Sequence, residues 1–449
     1  MNRKVYSAAG IVHVKLDLIL KSRQKAEPVV IGVDVGKHEL TVVLRWSDGC
    51  FERPWRVSNP NQIGLLRGLI VSLSQGRQLT VAMESTGTYG DALRQAMDDA
   101  QIAVHLVSGK RAHDYAEVFD GTPSQHDGKD AAVAAELCAL GKSSVWKLDR
   151  GDDRSQRIEL LVDQMAAAVE CRTRWTLRME GLLARHWPEA SAVLGCSAGT
   201  MLKAMKHYGG PEALAKDPQA RTQLRHWSSQ KLSEQKLGEL IESARTTTGV
   251  RLTRTDVQRI RWCAGEGLTA SMEASRCRRE LIDLAKDHDL IARQGEAIGV
   301  ATACVLWRHL GDPRRYHCAA AYRKAMGLNL KERSSGRYQG QLKISKRGSG
   351  RVRQWLYLSA LRLIRNEPRA SKWYRRKLRK GGGGKRRLIM ALTRKLALSM
   401  WAVSKSQQLF DVDRMLGPTG KKSVRKKAAG KQINRKQIHA KGAIKAKVH

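Results

Sequence analysis

No apolar run in these 449 residues reaches the ~18 needed to cross a bilayer, which excludes a membrane-spanning helix and a membrane partner. The N-terminus, MNRKVYSAAGIVHVKLDLILKSRQ, is broken by charges and lacks the apolar core of a signal peptide. Eight cysteines (50, 138, 171, 196, 263, 277, 304, 318) include no C-x-x-C pair, which argues against a zinc finger and for reduced thiols in the cytosol. Aromatics are only 5% of the chain, yet hydrophobic residues reach 42%, a globular rather than a disordered composition. Acids are the most telling shortage. There are 42 Asp and Glu against 82 Lys and Arg, for a formal charge of +40. Residues 301–449 hold 5 acidic and 40 basic residues, net +35; residues 29–140 hold 14 acidic and 10 basic, net −4. One end suits cations and the other phosphates, so a polyanion partner is expected in a bacterial, cytoplasmic, nucleoid-associated protein.

The length allows two or three domains. After an N-terminal arm (1–28), VVIGVDV (29–35), ELTVVLRW (39–46) and FERPWRV (51–57) read as strands, the second and third joined by a Ser-Asp-Gly turn at 47–49. A helix near 60–75, a strand at 78–84, a helix near 90–101, a strand at 103–108 and helices near 110–119 and 127–141 follow. Three hairpin strands and then alternating α/β is the order of an RNase H-like domain, here 29–145. Residues 150–290 read as a helical connector. Within it Ile158, Met165, Arg172 and Met179 share one heptad position and Leu161, Ala168, Trp175 and Leu182 the companion position. That pattern suits a coiled coil, as a dimer or an intramolecular hairpin, and equally an amphipathic helix packed on its own domain. A return helix is expected near 270–290. A mostly α C-terminal domain (291–410) precedes an acid-free basic tail (418–449), expected to be disordered alone.

Four carboxylates stand where a metal-dependent phosphodiester enzyme needs them. In an RNase H-like sheet the first strand is central with the fourth beside it, so Asp34 and Glu84, at the ends of those strands, converge at one edge. Asp127 and Asp130 are i, i+3 at a helix start and share a face. Four such groups repel unless divalent cations intervene, and two Mg²⁺ ions held this way can activate an attacking oxygen and stabilise a leaving one. Singly each has a plainer reading: Asp34 as a turn acid, Asp127 as an N-cap, Asp130 as a solvated first-turn acid.

Far downstream, GLNLKERSSGRYQGQLKISKRGSGRVR (327–353) places Ser334 and Ser335 among Arg333, Arg337, Lys343, Lys346, Arg347, Arg351 and Arg353. The serine could attack a phosphate, activated by metal or arginine, or merely hydrogen-bond within a phosphate-binding loop. Tyr338 is a rival nucleophile. A second basic run, 372–387, interleaves Trp373 and Tyr374 with Arg375, Arg376, Lys385 and Arg386, a pattern suited to stacking on unpaired bases and to phosphate contact.

IGVDVGK (31–37), MESTGTYG (83–90), Asp127-x-x-Asp130-Ala131 and SSG…ISKRG (334–348) together resemble the DEDD serine transposases of bacterial insertion sequences, the bridge-RNA-guided recombinases. The resemblance covers roughly 29–140 and 290–370. It implies a RuvC-like domain joined to a C-terminal transposase domain, a metal set of Asp34, Glu84, Asp127 and Asp130, and Ser335 as a nucleophile that links covalently to DNA. It further implies a guide RNA pairing with donor and target DNA, and a composite site assembled between subunits of a dimer or tetramer. Departures from the family pattern are Gln125-His126 for Lys-Thr, Glu296-Ala297-Ile298-Gly299 for Pro-Gly-x-Gly, and a missing proline at Leu328-Asn329-Leu330. Two other functions compete: a metal-dependent junction endonuclease without a covalent intermediate, and a non-catalytic nucleic-acid-binding scaffold.

Overall fold

The first elements are β1 (Ala9–Gly10), α1 (Leu16–Leu20), β2 (Val29–Val35), β3 (Glu39–Trp46), β4 (Trp55–Ser58), α2 (Ile63–Ser74) and β5 (Leu79–Glu84). After them come α3 (Asp91–Asp99), β6 (Ala103–Val107), α4 (Gly109–Asp120), α5 (Asp127–Ala139) and β7 (Ser144–Val145). In this computed structural model residues 7–21, 23, 27–84, 87–122, 126–146, 152–332, 334–335, 338–340, 342–381, 384–406 and 408–417 are described. The expected basic tail (418–449) lies outside them. The chain divides into two compact units between Arg150 and Gly151.

The N-terminal unit is one mixed sheet, ordered β1-β4-β3-β2-β5-β6-β7. β2 pairs antiparallel with β3 and parallel with β5, so the first long strand is central and the fourth is its neighbour. Val and Ile dominate β2 because both of its faces are covered. Val29, Ile31, Val33 and Val35 pack with α2 and α3 residues such as Leu66, Ile70 and Leu93. The opposite face carries Gly32 and Asp34 and lies under α5 (period two). That helix is rich in alanine, and Ala131–Ala135 are all buried. Small residues let it sit close: a Cβ on Gly32 would fall 1.9 Å from the Ala131 carbonyl oxygen.

One strand boundary differs from expectation, and two short strands add to the sheet. The strand expected at 51–57 forms only over Trp55–Ser58, while Phe51 makes an isolated bridge to Arg45. Pro54, just before it, has no N–H for the ladder. The short edge strands β1 and β7 were not anticipated; two residues carry no periodicity to read.

The second unit begins with α6 (Asp153–His186) and, after α7 (Ala190–Val193), α8 (Gly199–Tyr208), α9 (Pro211–Lys216), α10 (Ala220–Trp227) and α11 (Glu234–Arg245), returns as α12 (Arg254–Ala285). α6 and α12 lie antiparallel, with Arg157 beside Glu280 at one end and Trp175 against Trp262 further along. The coiled-coil pattern is thus an intramolecular hairpin. Its buried stripe holds Ile158, Leu161, Met165 and Ala168 and then drifts to Thr176, Met179 and Leu183, so Trp175 and Leu182 slip partly out. A straight helix of 3.6 residues per turn moves off a strict heptad in this way. The return helix starts at 254 rather than 270, set by a capping box between Thr253 and Asp256.

The helices α7–α11 enclose a core of their own around Trp187, Met201, Met205 and Leu237. At the other end Ile158, Leu161, Met165, Cys277 and Leu281 merge into the core of the remaining helices. These are α13 (Asp289–Ile298), α14 (Val300–Leu310), α15 (Ala319–Ala325), α16 (Gly350–Asn366), α17 (Pro368–Arg379), α18 (Lys385–Lys405) and α19 (Val412–Leu416). Between α15 and α16 the glycine-rich stretch forms β8 (Leu330–Lys331), β9 (Ser334–Ser335), β10 (Tyr338–Gln339) and β11 (Lys343–Ile344). No helix among the described residues is long and apolar enough to cross a membrane.

Candidate active site and nucleic-acid interface

Asp34 and Glu84 lie one step beyond the last registered pair of β2 and β5, Val33 with Met83. By alternation both belong to the face that α5 covers. Asp127 is the first residue of α5, and His126 holds the N-cap position without a side-chain cap, so Asp127 is not the cap itself. Asp130 follows one turn on. All four acids therefore meet at the carboxyl edge of the two central strands.

The electrostatics carry the signature of this meeting. Burial, and then the charges of Asp127, Asp130 and Glu84, push the Asp34 carboxyl up to about 6. Burial followed by Asp130 raises Glu84. Asp130 is raised chiefly by burial, with Asp127 adding to it and His126 and Lys129 opposing. Among the described residues no three His, Cys, Asp or Glu side chains stand close enough to hold a metal as they are. An all-carboxylate donor set of this kind fits hard divalent cations.

Four further residues, none of them assigned to the site from the sequence, position these acids. Gly32 lets α5 approach β2. Gly36 makes the turn after Asp34, where a Cβ would lie 2.6 Å from the Glu39 carbonyl oxygen. Buried Asn59 donates to the carbonyls of Gly36 at 3.0 Å and Tyr89 at 3.1 Å, tying together the loops that follow both acidic strands. Lys129, fully buried between the paired aspartates in sequence, turns away from them to Asp120 at 2.7 Å and the Thr122 carbonyl at 2.5 Å. It pins the end of α4 to the start of α5. Gly32 and Gly36 stand inside the IGVDVGK run (31–37), whereas nothing in the sequence marks Asn59 or Lys129 for these roles.

In the second unit Ser335 pairs with Tyr338 and Ser334 with Gln339 across β9 and β10, while Lys331 pairs with Lys343 across β8 and β11. The serine thus lies at the end of a β-hairpin, on backbone alone; Arg333 and Arg337 are outside the described residues. The hairpin root is clamped. Arg394 donates to the Leu328 carbonyl at 2.8 Å and Arg353 to the carbonyls of Met326 at 3.2 Å and Gly348 at 2.8 Å. Gly348 runs so near the chain that a Cβ would sit 2.2 Å from the Ala325 carbonyl oxygen.

The expected nucleic-acid contacts separate by environment. Lys343, Lys346, Arg347, Arg375, Lys385 and Arg386 are exposed, and Arg376 is half-buried. Arg353 is committed to the hairpin root, and Arg351 pairs with Glu170 at 2.9 Å. Trp373 is a correction: it is 8% exposed and belongs to the core, with Tyr374 packed partly against it, so it offers no face to a base. In α17 it falls three residues from buried Ala370, on the inward side.

A transposase family profile matches residues 31–188, and a profile for transposases of the IS116/IS110/IS902 family matches 291–375. The 43.6 kDa protein of insertion element IS110 from Streptomyces coelicolor is 25% identical over 369 residues, 79% of this chain and 88% of that one. The 42 kDa protein of insertion element IS900 from Mycobacterium paratuberculosis is 25% identical over 408 residues, 86% and 98% respectively. Among solved structures, T. thermophilus RuvC in complex with a Holliday junction substrate aligns with 26% of this chain and 99% of its own, at 14% identity and a TM-score of 0.21. On the two profile matches, which together span more than half of the sequence, the chain belongs to the IS116/IS110/IS902 family of transposases.

Proposed function

We propose that this transposase cleaves and rejoins DNA strands with a carboxylate set (Asp34, Glu84, Asp127, Asp130) and a serine nucleophile (Ser335). The observation that carries the reading is the placement of Asp34 and Glu84 at the ends of two paired central strands and of Asp127 and Asp130 in the first turn of α5, where burial and the other three acids raise the Asp34 carboxyl to about 6. A protein holds such a costly cluster for a cation rather than for stability. The four acids would hold two Mg²⁺ ions. Bound there, the ions supply charge for the attacking and leaving oxygens of an in-line displacement. Gly32, Asn59 and Lys129 fix the strand ends and the helix that present the acids. Ser335, on its hairpin among exposed cations, attacks the phosphorus and holds the cut strand as a phosphoserine ester. The 3′ or 5′ oxygen it releases departs as the alcohol, and reversal onto a second strand completes rejoining. A guide RNA transcribed from the element and an assembly of two or four copies belong to the same proposal.

Incubation with element-end DNA and Mg²⁺, followed by denaturation, should leave a protein–DNA adduct mapping to Ser335. Asp34→Ala and Ser335→Ala should both be inactive. Cleavage by Ser335→Ala at the normal rate would replace this reading with the junction endonuclease. A discrete RNA should co-purify from cells carrying the flanking element DNA.

A further inference from the structure

A groove of about 650 Å³ lies between the root of the serine hairpin and α18. Its floor is apolar: Leu330, Leu342, Ile344 and Met390. Its margin is cationic: Lys331, Lys343, Arg386, Arg387 and Arg394, with no acid in the lining. Leu330 and Leu342 are 39% and 49% exposed, so their apolar faces are open to a ligand in the groove. Among the described residues none of Arg323, Arg386, Arg387 and Arg394 forms an ion pair with an acid. Burial and then the neighbouring Arg323 hold the Arg394 guanidinium below its usual value, so this end of the groove carries uncompensated like charge.

We propose that this groove seats unpaired nucleotides of a DNA strand, with bases on the leucine floor and phosphates on the cationic margin. The charge disfavours a cationic occupant, the apolar floor disfavours a purely ionic one, and the two together favour a ligand with both a flat apolar face and an anion. A duplex keeps its base faces stacked, so only an unpaired strand offers a flat apolar surface and a phosphate together. The volume falls within the range of small-ligand sites. The proposal rests on Ser335 as the attacking group. β8 and β11 flank, in sequence, the β9–β10 pair that bears it. A cut DNA strand held at Ser335 would continue over this floor.

The test uses the full-length Ser335→Ala chain without Mg²⁺, so that binding is read apart from any chemistry. Fluorescence anisotropy compares oligothymidylate of about a dozen residues with an abasic oligomer of equal length and charge. Oligothymidylate should bind about tenfold more tightly. Leu330→Ser with Leu342→Ser, both at exposed positions, should bring the ratio near one while leaving abasic affinity unchanged. Arg386→Gln with Arg387→Gln should weaken both oligomers and flatten the salt dependence. Photocrosslinks from 5-iododeoxyuridine should map to 330–346 and 386–394. Equal affinity for the two oligomers, a ratio unmoved by the serine pair, or oligouridylate preferred through the same leucines would overturn the proposal. A missing Ser335 adduct in the wild-type chain would instead count against the strand-transfer reading alone.

Discussion

Ser335 and Tyr338 are directly opposed partners across the β-hairpin. The two hydroxyl-bearing residues that compete for the role of nucleophile therefore share one place in the fold, and position alone favours neither. Chemistry separates them. Tyr338→Phe removes the phenol but keeps the cross-strand ring, so strand transfer should survive within a few-fold. Ser335→Ala should abolish the covalent adduct. An adduct that persists in Ser335→Ala and vanishes in Tyr338→Phe reverses the assignment.

Asp34 sets a pH dependence whose sign follows from its raised carboxyl. The folded chain binds this proton up to about 6, the unfolded chain only up to the ordinary aspartate value of 3.8. Between those limits the folded state holds more protons, so stability contributed by this group falls as pH rises and returns on acidification. Without metal, Tm should rise between pH 7 and pH 5. Protons and cations compete for the cluster, so Mg²⁺ affinity in isothermal titration should drop as pH falls through 6. An unchanged affinity across that interval would separate Asp34 from the metal.

Asp34→Asn removes the repulsion and should stabilise the metal-free protein by about 1–2 kcal/mol, discounted for partial exposure. It should also cancel the Tm increase that Mg²⁺ gives the wild type. Thermal melts with and without the ion read both effects; loss of stability in the metal-free variant contradicts the repulsion argument.

Gly32→Ala would force a methyl into the Ala131 carbonyl and Ala135 Cβ at 1.9 and 2.9 Å. Backbone must move, at about 2–4 kcal/mol. Because α5 carries Asp127 and Asp130, Mg²⁺ binding should weaken even where the fold survives, measured at a temperature below the variant's melt.

Lys129→Met leaves Asp120 and the Thr122 carbonyl without their buried cation. Because Asp120 stays in contact with water, the loss should be about 1–3 kcal/mol, and Lys129→Met with Asp120→Asn should recover part of it. Denaturant midpoints for both chains decide whether the pair or the lysine stem matters.

Much of the N-terminal unit could be read in advance because its strands are long β-branched runs with acids at their ends. Asp34 and Glu84 stand out as charges where an apolar run stops, and the strand order then brings them together. What escaped was held by tertiary context. Lys129 and Arg353 count as surface charges in any composition, yet one is buried against Asp120 and the other serves backbone carbonyls. Trp373 sits in a run of cations, and only the helical phase of α17 shows that it points inward. The heptad stripe of α6 is legible from Ile158 to Ala168 and then drifts, because a 3.6-residue helix cannot keep a seven-residue repeat straight.

The α6–α12 hairpin has a mechanical corollary. Thirty-four residues of unbroken helix make a rod of about 50 Å. A separate hydrophobic core grips each end, one formed by α7–α11 and one continuous with the helices that clamp the serine hairpin. Such a beam transmits torque with little flexure, so a load on the distal bundle arrives at the hairpin root as a displacement rather than being absorbed on the way.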